Sequence, residues 1–132
     1  MSRAHGLDLI QLIAPTTTPE RTERILATAT GFLYCISVSG TTGVRETLPA
    51  ELCEQLQWLR SQTKLPLAVG FGISRADQVE SLKGLADGVI VGSALVRHIA
   101  AISEERASVE SALKKVGQLA DEMLAATRGR LL

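Results

Sequence analysis

Four short apolar runs, each closed by proline, glycine or small residues and each followed by a stretch of helical periodicity, leave this chain few ways to fold. The runs are Leu7–Ile13, Phe32–Ile36, Leu65–Val69 and Val89–Val91. Their brevity and content suit strands buried in a parallel sheet, and Pro15 ends the first because proline cannot continue the ladder of a central strand. Thr18-Pro19-Glu20 then offers an N-cap, a proline at the first helical position and an acid in the first turn. That helix carries Ile25 and Leu26 inward and ends near Gly31. Pro49-Ala50-Glu51 opens the next, with Leu52, Leu56 and Leu59 on one face and Trp58 off it. Ser74 with Asp77 reads as the capped start of a helix that Gly84 ends, and Ser93 opens a short amphipathic one over 94–99. From Ser108 onward, Val109, Leu113, Val116, Ala120 and Leu124 fall on one helical stripe, predicting a closing outer helix that buries them, before a basic, frayed Arg128-Gly129-Arg130.

Strands alternating with helices at spacings of roughly 20–35 residues mean parallel β/α units with right-handed crossovers. The expected class is therefore α/β, a parallel (β/α)4 unit forming a single domain over 1–132. A closed (β/α)8 barrel takes about 250 residues, so a chain of 132 residues reaches half of one. Such a half-barrel leaves two open sheet edges and an apolar inner face, which a second chain or a second copy of this one would complete.

Composition removes several functions. The chain has 14 basic and 14 acidic residues, so it lacks the positive field that nucleic acid or anionic lipid demands. No apolar run approaches the roughly twenty residues that span a bilayer, and Met1-Ser2-Arg3-Ala4-His5 has no apolar signal core, so the expected compartment is the cytoplasm. Cys35 and Cys53 lack Cys-x-x-Cys spacing and are assigned as buried thiols rather than a disulfide or a metal site. His98 is assigned to a helix end and His5 to the remnant of a preceding helix, because neither has a second ligand at metal spacing.

One constellation points to chemistry. Gly70-Phe71-Gly72-Ile73-Ser74 follows the third strand, and Gly92-Ser93 follows the fourth and opens a helix. Glycine lets the backbone approach phosphate oxygens, and the first N–H groups of a helix point at such an anion. A lone Gly-x-Gly carries little weight, but coupled loops at neighbouring strand ends favour a phosphate site like that of eight-unit barrels after strands seven and eight. The loop is not a Walker A, since no Lys-Ser/Thr follows, and it lacks the third glycine of a dinucleotide fingerprint. Pattern alone leaves Tyr34 equally open as core aromatic or pocket residue. Phe71, between two glycines at a strand end, is poorly placed for the outer core.

Taken in order, Ala14-Pro15-Thr16-Thr17-Thr18, Tyr34 with Ser37-Val38-Ser39-Gly40-Thr41-Thr42-Gly43, Gly70-Phe71-Gly72-Ile73-Ser74 and Val91-Gly92-Ser93-Ala94 resemble the C-terminal half of the tryptophan synthase alpha chain family. The likeness covers nearly the whole chain. It implies a TIM-barrel fold in which the present strands are the fifth to eighth, and an enzyme family that cleaves indole-3-glycerol phosphate to indole and glyceraldehyde 3-phosphate in tryptophan biosynthesis. It also implies a beta-chain partner, which carries pyridoxal phosphate, and no cofactor in this chain. By this resemblance Gly72, Gly92 and Ser93 bind the substrate phosphate, with Gly43 closing over it. Tyr34 lies beside the glycerol and indole, Phe71 and Ile90 form apolar walls, and Thr42 helps to orient a catalytic aspartate.

That aspartate is not in this sequence. Cleavage needs a general acid to protonate the indole ring carbon and a base to take protons elsewhere. In the family both carboxylates lie in the N-terminal half, so no residue here is assigned as catalytic, and Glu20 and Glu46 are assigned to helix capping and solvated charge. The expected function is phosphate-ligand binding by a tryptophan synthase alpha-like chain that is inactive alone. The alternatives are a homodimeric half-barrel that binds without catalysis, and a module acting on a beta chain.

Overall fold

The computed structural model describes residues 2–37, 49–70, 72–104 and 107–128. After a 3-10 turn at Ser2–His5, strands and helices alternate as β1 (Gln11–Ile13), α1 (Pro19–Leu26), β2 (Leu33–Ile36), α2 (Ala50–Gln62), β3 (Leu67–Gly70), α3 (Ala76–Ser81), β4 (Gly88–Ile90) and α4 (Ser93–Ser103), followed by α5 (Val109–Thr127). The strands form one sheet in sequence order, every neighbouring pair parallel. The four apolar runs thus supply the four strands of a (β/α)4 unit.

Register assigns the side chains to two faces. Ile13, Cys35, Val69 and Val89 align across the sheet, with Leu33 and Leu67 in the next row on that face. These residues meet Leu52, Leu56 and Leu59 of α2, Val79 and Leu82 of the α3 region and Met123 and Ala126 of α5, and together they make up the core. The opposite face carries Leu12, Tyr34, Ala68 and Gly88 in one row and Ile36, Gly70 and Ile90 in the other. No helix covers that face among the described residues, and Leu12 is 55% exposed while its neighbour Ile13 is fully buried.

Local chemistry sets the boundaries. At α1 the Thr18 hydroxyl accepts from Arg21 N–H (3.4 Å), with Pro19 opening the helix. Its close comes at Leu26, earlier than Gly31, whose positive φ of 71° turns the chain toward β2 instead. β3 starts at Leu67 because Asp87 brackets that residue: its carboxylate accepts from Leu67 N–H at 2.8 Å and its own N–H donates to Leu67 O at 2.8 Å. Arg60 holds the same carboxylate at 2.8 Å.

Three expectations need correction. β1 spans three residues rather than Leu7–Ile13, because Leu9 exchanges bonds with Thr30 through its N–H (2.7 Å, to the hydroxyl) and its carbonyl (3.1 Å) instead of extending a ladder. The α3 cap is one residue later than Ser74: the Gln78 amide oxygen accepts from Ser74 N–H (2.9 Å) and Arg75 N–H (3.1 Å), and Asp77 pairs with Arg75 instead. The third correction concerns α5, which buries Ala112, Met123 and Ala126, while Val109, Leu113 and Leu124 are 57%, 63% and 50% exposed. At 100° per residue the two stripes lie about a quarter-turn apart. α5 packs on α3 and α4, and its small-residue stripe lets the helices approach.

Candidate functional site

The site forms where β2, β3 and β4 end. Tyr34, Gly72, Ile73, Ile90, Gly92 and Ser93 line a single cavity of about 250 Å³. The sequence assigns a site role to five of these; Ile73, buried beneath the loop, has none there. Phe71, Thr42 and Gly43 lie outside the described residues, as does Glu46.

Each wall has a local cause. Gly72 has φ of 78°, a left-handed conformation that a Cβ would strain, so the glycine is required by the turn itself. At the end of β2, Ser37 donates its N–H (2.9 Å) and its hydroxyl (3.0 Å) to the Gly70 carbonyl, locking the two strand ends together. Gly70 is not left-handed, and its reason is a neighbour. A Cβ built there would overlap Tyr34 Oη and come within 2.5 Å of Cζ and 2.8 Å of Cε1. The outer end of the Tyr34 ring therefore occupies the place of a Gly70 Cβ on the uncovered face, and only glycine leaves it that place. Sequence pattern assigns neither Ser37 nor Gly70 these contacts, because partners 33 or 36 residues apart leave no periodic trace.

On the far wall α4 opens with Gly92 as its N-cap, and the Gly92 carbonyl accepts from Leu95 N–H (2.9 Å) and Val96 N–H (3.1 Å). The N–H groups of Ser93 and Ala94 precede the first intrahelical bond and project from the helix end, where the helix dipole favours an anion. The six described lining residues are uncharged, and the neutral donors they offer are backbone N–H groups, the Ser93 hydroxyl and the Tyr34 phenol.

The titratable groups fit structural roles. Glu20 is fully exposed at the start of α1, and its own backbone N–H and the Thr18 hydroxyl hold its carboxyl below the usual range. Asp77 is likewise lowered, chiefly by its bond to Arg75. Burial pushes the Cys35 thiol up to about 11. Cys53 is half-buried on α2, and both thiols are free. Among the described residues no group of three or more His, Cys, Asp or Glu side chains could hold a metal ion. A second cavity of about 270 Å³ lies at the start of β4, bordered by Val79, Lys83, Asp87 and Thr127. It sits at the opposite strand ends from those where parallel β/α folds place their ligands.

The profile of tryptophan synthase alpha chains matches residues 1–128. The chain belongs to the tryptophan synthase alpha chain family. The Carboxydothermus hydrogenoformans alpha chain is 46% identical over 112 residues, covering 85% of this chain and 42% of that protein. The Chloroflexus aggregans alpha chain is 54% identical over 96 residues, 73% of this chain and 36% of that one. Among solved structures, the Legionella pneumophila alpha chain superposes with a TM-score of 0.71 at 36% identity, covering 94% of this chain and 44% of that one. An alpha subunit from the Pyrococcus furiosus tryptophan synthase α2β2 complex superposes with a TM-score of 0.78 at 36% identity, covering 93% and 48%. The chain thus spans less than half the length of the family members it matches. No helix among its described residues is long and apolar enough to cross a membrane.

Proposed function

We propose that this chain is the C-terminal half of a tryptophan synthase alpha barrel, folded as one domain over 1–132, whose strand ends hold the phosphate of indole-3-glycerol phosphate. The observation that carries the reading is one cavity joining Tyr34 to Gly72, Gly92 and Ser93 at the carboxyl ends of β2, β3 and β4. Backbone N–H groups at Gly72 and at the start of α4 take the phosphate oxygens, and Gly43 closes over them. The Tyr34 ring, fixed against Gly70, flanks the glycerol and indole, with Ile90 and Phe71 as apolar walls. Thr42 orients the catalytic aspartate of the complementary half.

Carbon–carbon cleavage needs an acid at the indole ring carbon and a base for the leaving protons. Glu20 is committed to its helix start, outside the cavity. By the family resemblance both carboxylates belong to the complementary half; on that reading the chain binds without cleaving, and works in the cytoplasm as part of an alpha chain that meets a beta chain. The test is complementation. Mixed with a fragment carrying the first half of the Carboxydothermus hydrogenoformans alpha chain, it should restore indole release, whereas a fragment carrying the second half should not. The reverse pattern would overturn the assignment of the half.

A further inference from the structure

Two side chains hold the segment between β3 and α3 without entering the cavity it borders. On the near side, Ser37 is buried at the end of β2, and both its N–H (2.9 Å) and its hydroxyl (3.0 Å) donate to the carbonyl of Gly70, the last residue of β3. The backbone bond continues the parallel ladder beyond the Ile36–Gly70 pair. The hydroxyl bond is additional, and it fixes the direction of that carbonyl and with it the peptide plane in which the chain leaves the strand. On the far side, the Gln78 amide oxygen accepts from Ser74 N–H (2.9 Å) and Arg75 N–H (3.1 Å). Between the two clamps Gly72 has φ of 78°, and Ile73 is packed into the core. Gly72 and Ile73 line the cavity, whereas neither Ser37 nor Gln78 is among its described lining residues. Both clamps join interior parts of this chain, β2 to β3 and α3 to the segment that leads into it, away from the outer edges of β1 and β4.

We propose that Ser37 and Gln78 are positioning residues for the anion site: they preorganise the Gly72 turn, so that its backbone donors stand in place before a phosphate arrives. The inference rests on the phosphate reading of the cavity. Ordering even one backbone residue on binding weakens affinity on the order of tenfold, so a turn that is ordered beforehand binds more tightly with no added contact. The second clamp also divides the donors. Gln78 takes the N–H groups of Ser74 and Arg75, which leaves Gly72 and Ile73 to serve the cavity from this segment. Hydrogen bonds of this kind each carry about three- to tenfold in the equilibrium they control.

The test separates placement from stability. Ser37→Ala keeps the backbone bond and removes the hydroxyl, and Gln78→Leu removes the amide acceptor. Each is titrated with indole-3-glycerol phosphate in a calorimeter at a temperature where circular dichroism shows it folded. Asp87→Ala, which loses a bond at the opposite strand ends, is the control for lost stability alone. Ser37→Ala and Gln78→Leu should each weaken binding about three- to tenfold, and Asp87→Ala should leave it unchanged. Amide hydrogen exchange followed by NMR, with no ligand present, reads the segment itself. Gln78→Leu should speed exchange at Ser74 and Arg75 about tenfold or more, and Gln78→Glu, whose carboxylate accepts the same two bonds, should keep it slow. If the wild type binds and the two variants lose no more affinity than Asp87→Ala, the inference falls while the phosphate reading stands. Unchanged exchange at Ser74 and Arg75 in Gln78→Leu overturns it as well. A wild type that takes no phosphate ester is the separate outcome that overturns the phosphate reading, and this inference with it.

Discussion

Gly70→Ala offers the sharpest perturbation, because its effect comes from one identified contact. The Gly70 backbone is not left-handed, so alanine meets no conformational penalty there. What its Cβ meets is the Tyr34 ring, at 2.5 Å from Cζ and 2.8 Å from Cε1, where ordinary contact needs about 3.5 Å or more. The ring must move by about 1 Å, either into the cavity or by parting β2 from β3, and the second route stretches the two Ser37 bonds to Gly70 O. Overpacking of this kind costs about 1–3 kcal/mol. In urea unfolding, Gly70→Ala should lose that amount in the wild-type background and almost nothing when Tyr34 is already leucine. Tyr34→Phe, which removes only Oη, should give an intermediate value. In ligand titrations the single variant should bind more weakly and the Gly70→Ala/Tyr34→Leu pair should recover part of the loss. Strict additivity, with coupling under about 0.5 kcal/mol, would refute the placement of the ring.

Other expectations follow from neighbouring geometry. Gly72→Ala should lose about 1–2 kcal/mol of stability from its left-handed backbone, and Gly92→Ala less than about 1 kcal/mol because its φ is −123° and its Cβ meets nothing within 4 Å; both should weaken phosphate binding by calorimetry. Asp87→Ala should destabilise by about 1–3 kcal/mol, since Leu67 N–H loses its acceptor, whereas Arg60→Gln, breaking only the exposed half of that arrangement, should stay within about 1 kcal/mol in thermal melts. Cys35 titrates near 11 in the fold against an ordinary 9.0, so above pH 9 the unfolded chain gives up a proton that the folded chain keeps. Stability should therefore be intact below pH 9 and fall by roughly 2 kcal/mol between pH 9 and 11, a decline that Cys35→Ala should flatten.

Local signals in the sequence are legible where they coincide with burial. Leu52, Leu56 and Leu59 form one leucine stripe, and all three are fully buried. Gly72 and Gly92 are legible as loop positions because each stands just past an apolar run, and the structure places both on the lining of one cavity. α5 misleads because it carries two apolar stripes. The larger residues, Val109, Leu113 and Leu124, advertise a core face, but the docked face is the one with Ala112, Met123 and Ala126. Periodicity reports that a helix is amphipathic; it does not report which neighbours are present to cover it. β1 reads too long for a related reason, Leu7 and Leu9 having the composition of a strand without a ladder to join. The pairing of Tyr34 with Gly70 and of Ser37 with the Gly70 carbonyl belongs to tertiary structure alone.

Whether the chain holds a phosphate ligand without cleaving it is tested most directly by one titration. Indole-3-glycerol phosphate is added to the purified chain in a calorimeter while indole is followed in the same sample. Saturable binding that Gly72→Val and Gly92→Val abolish, with no indole formed, is the expected result. Indole release by the chain alone would contradict it, by showing that a carboxylate of this half performs the chemistry, and absence of binding would contradict it by showing that these strand ends do not make a site.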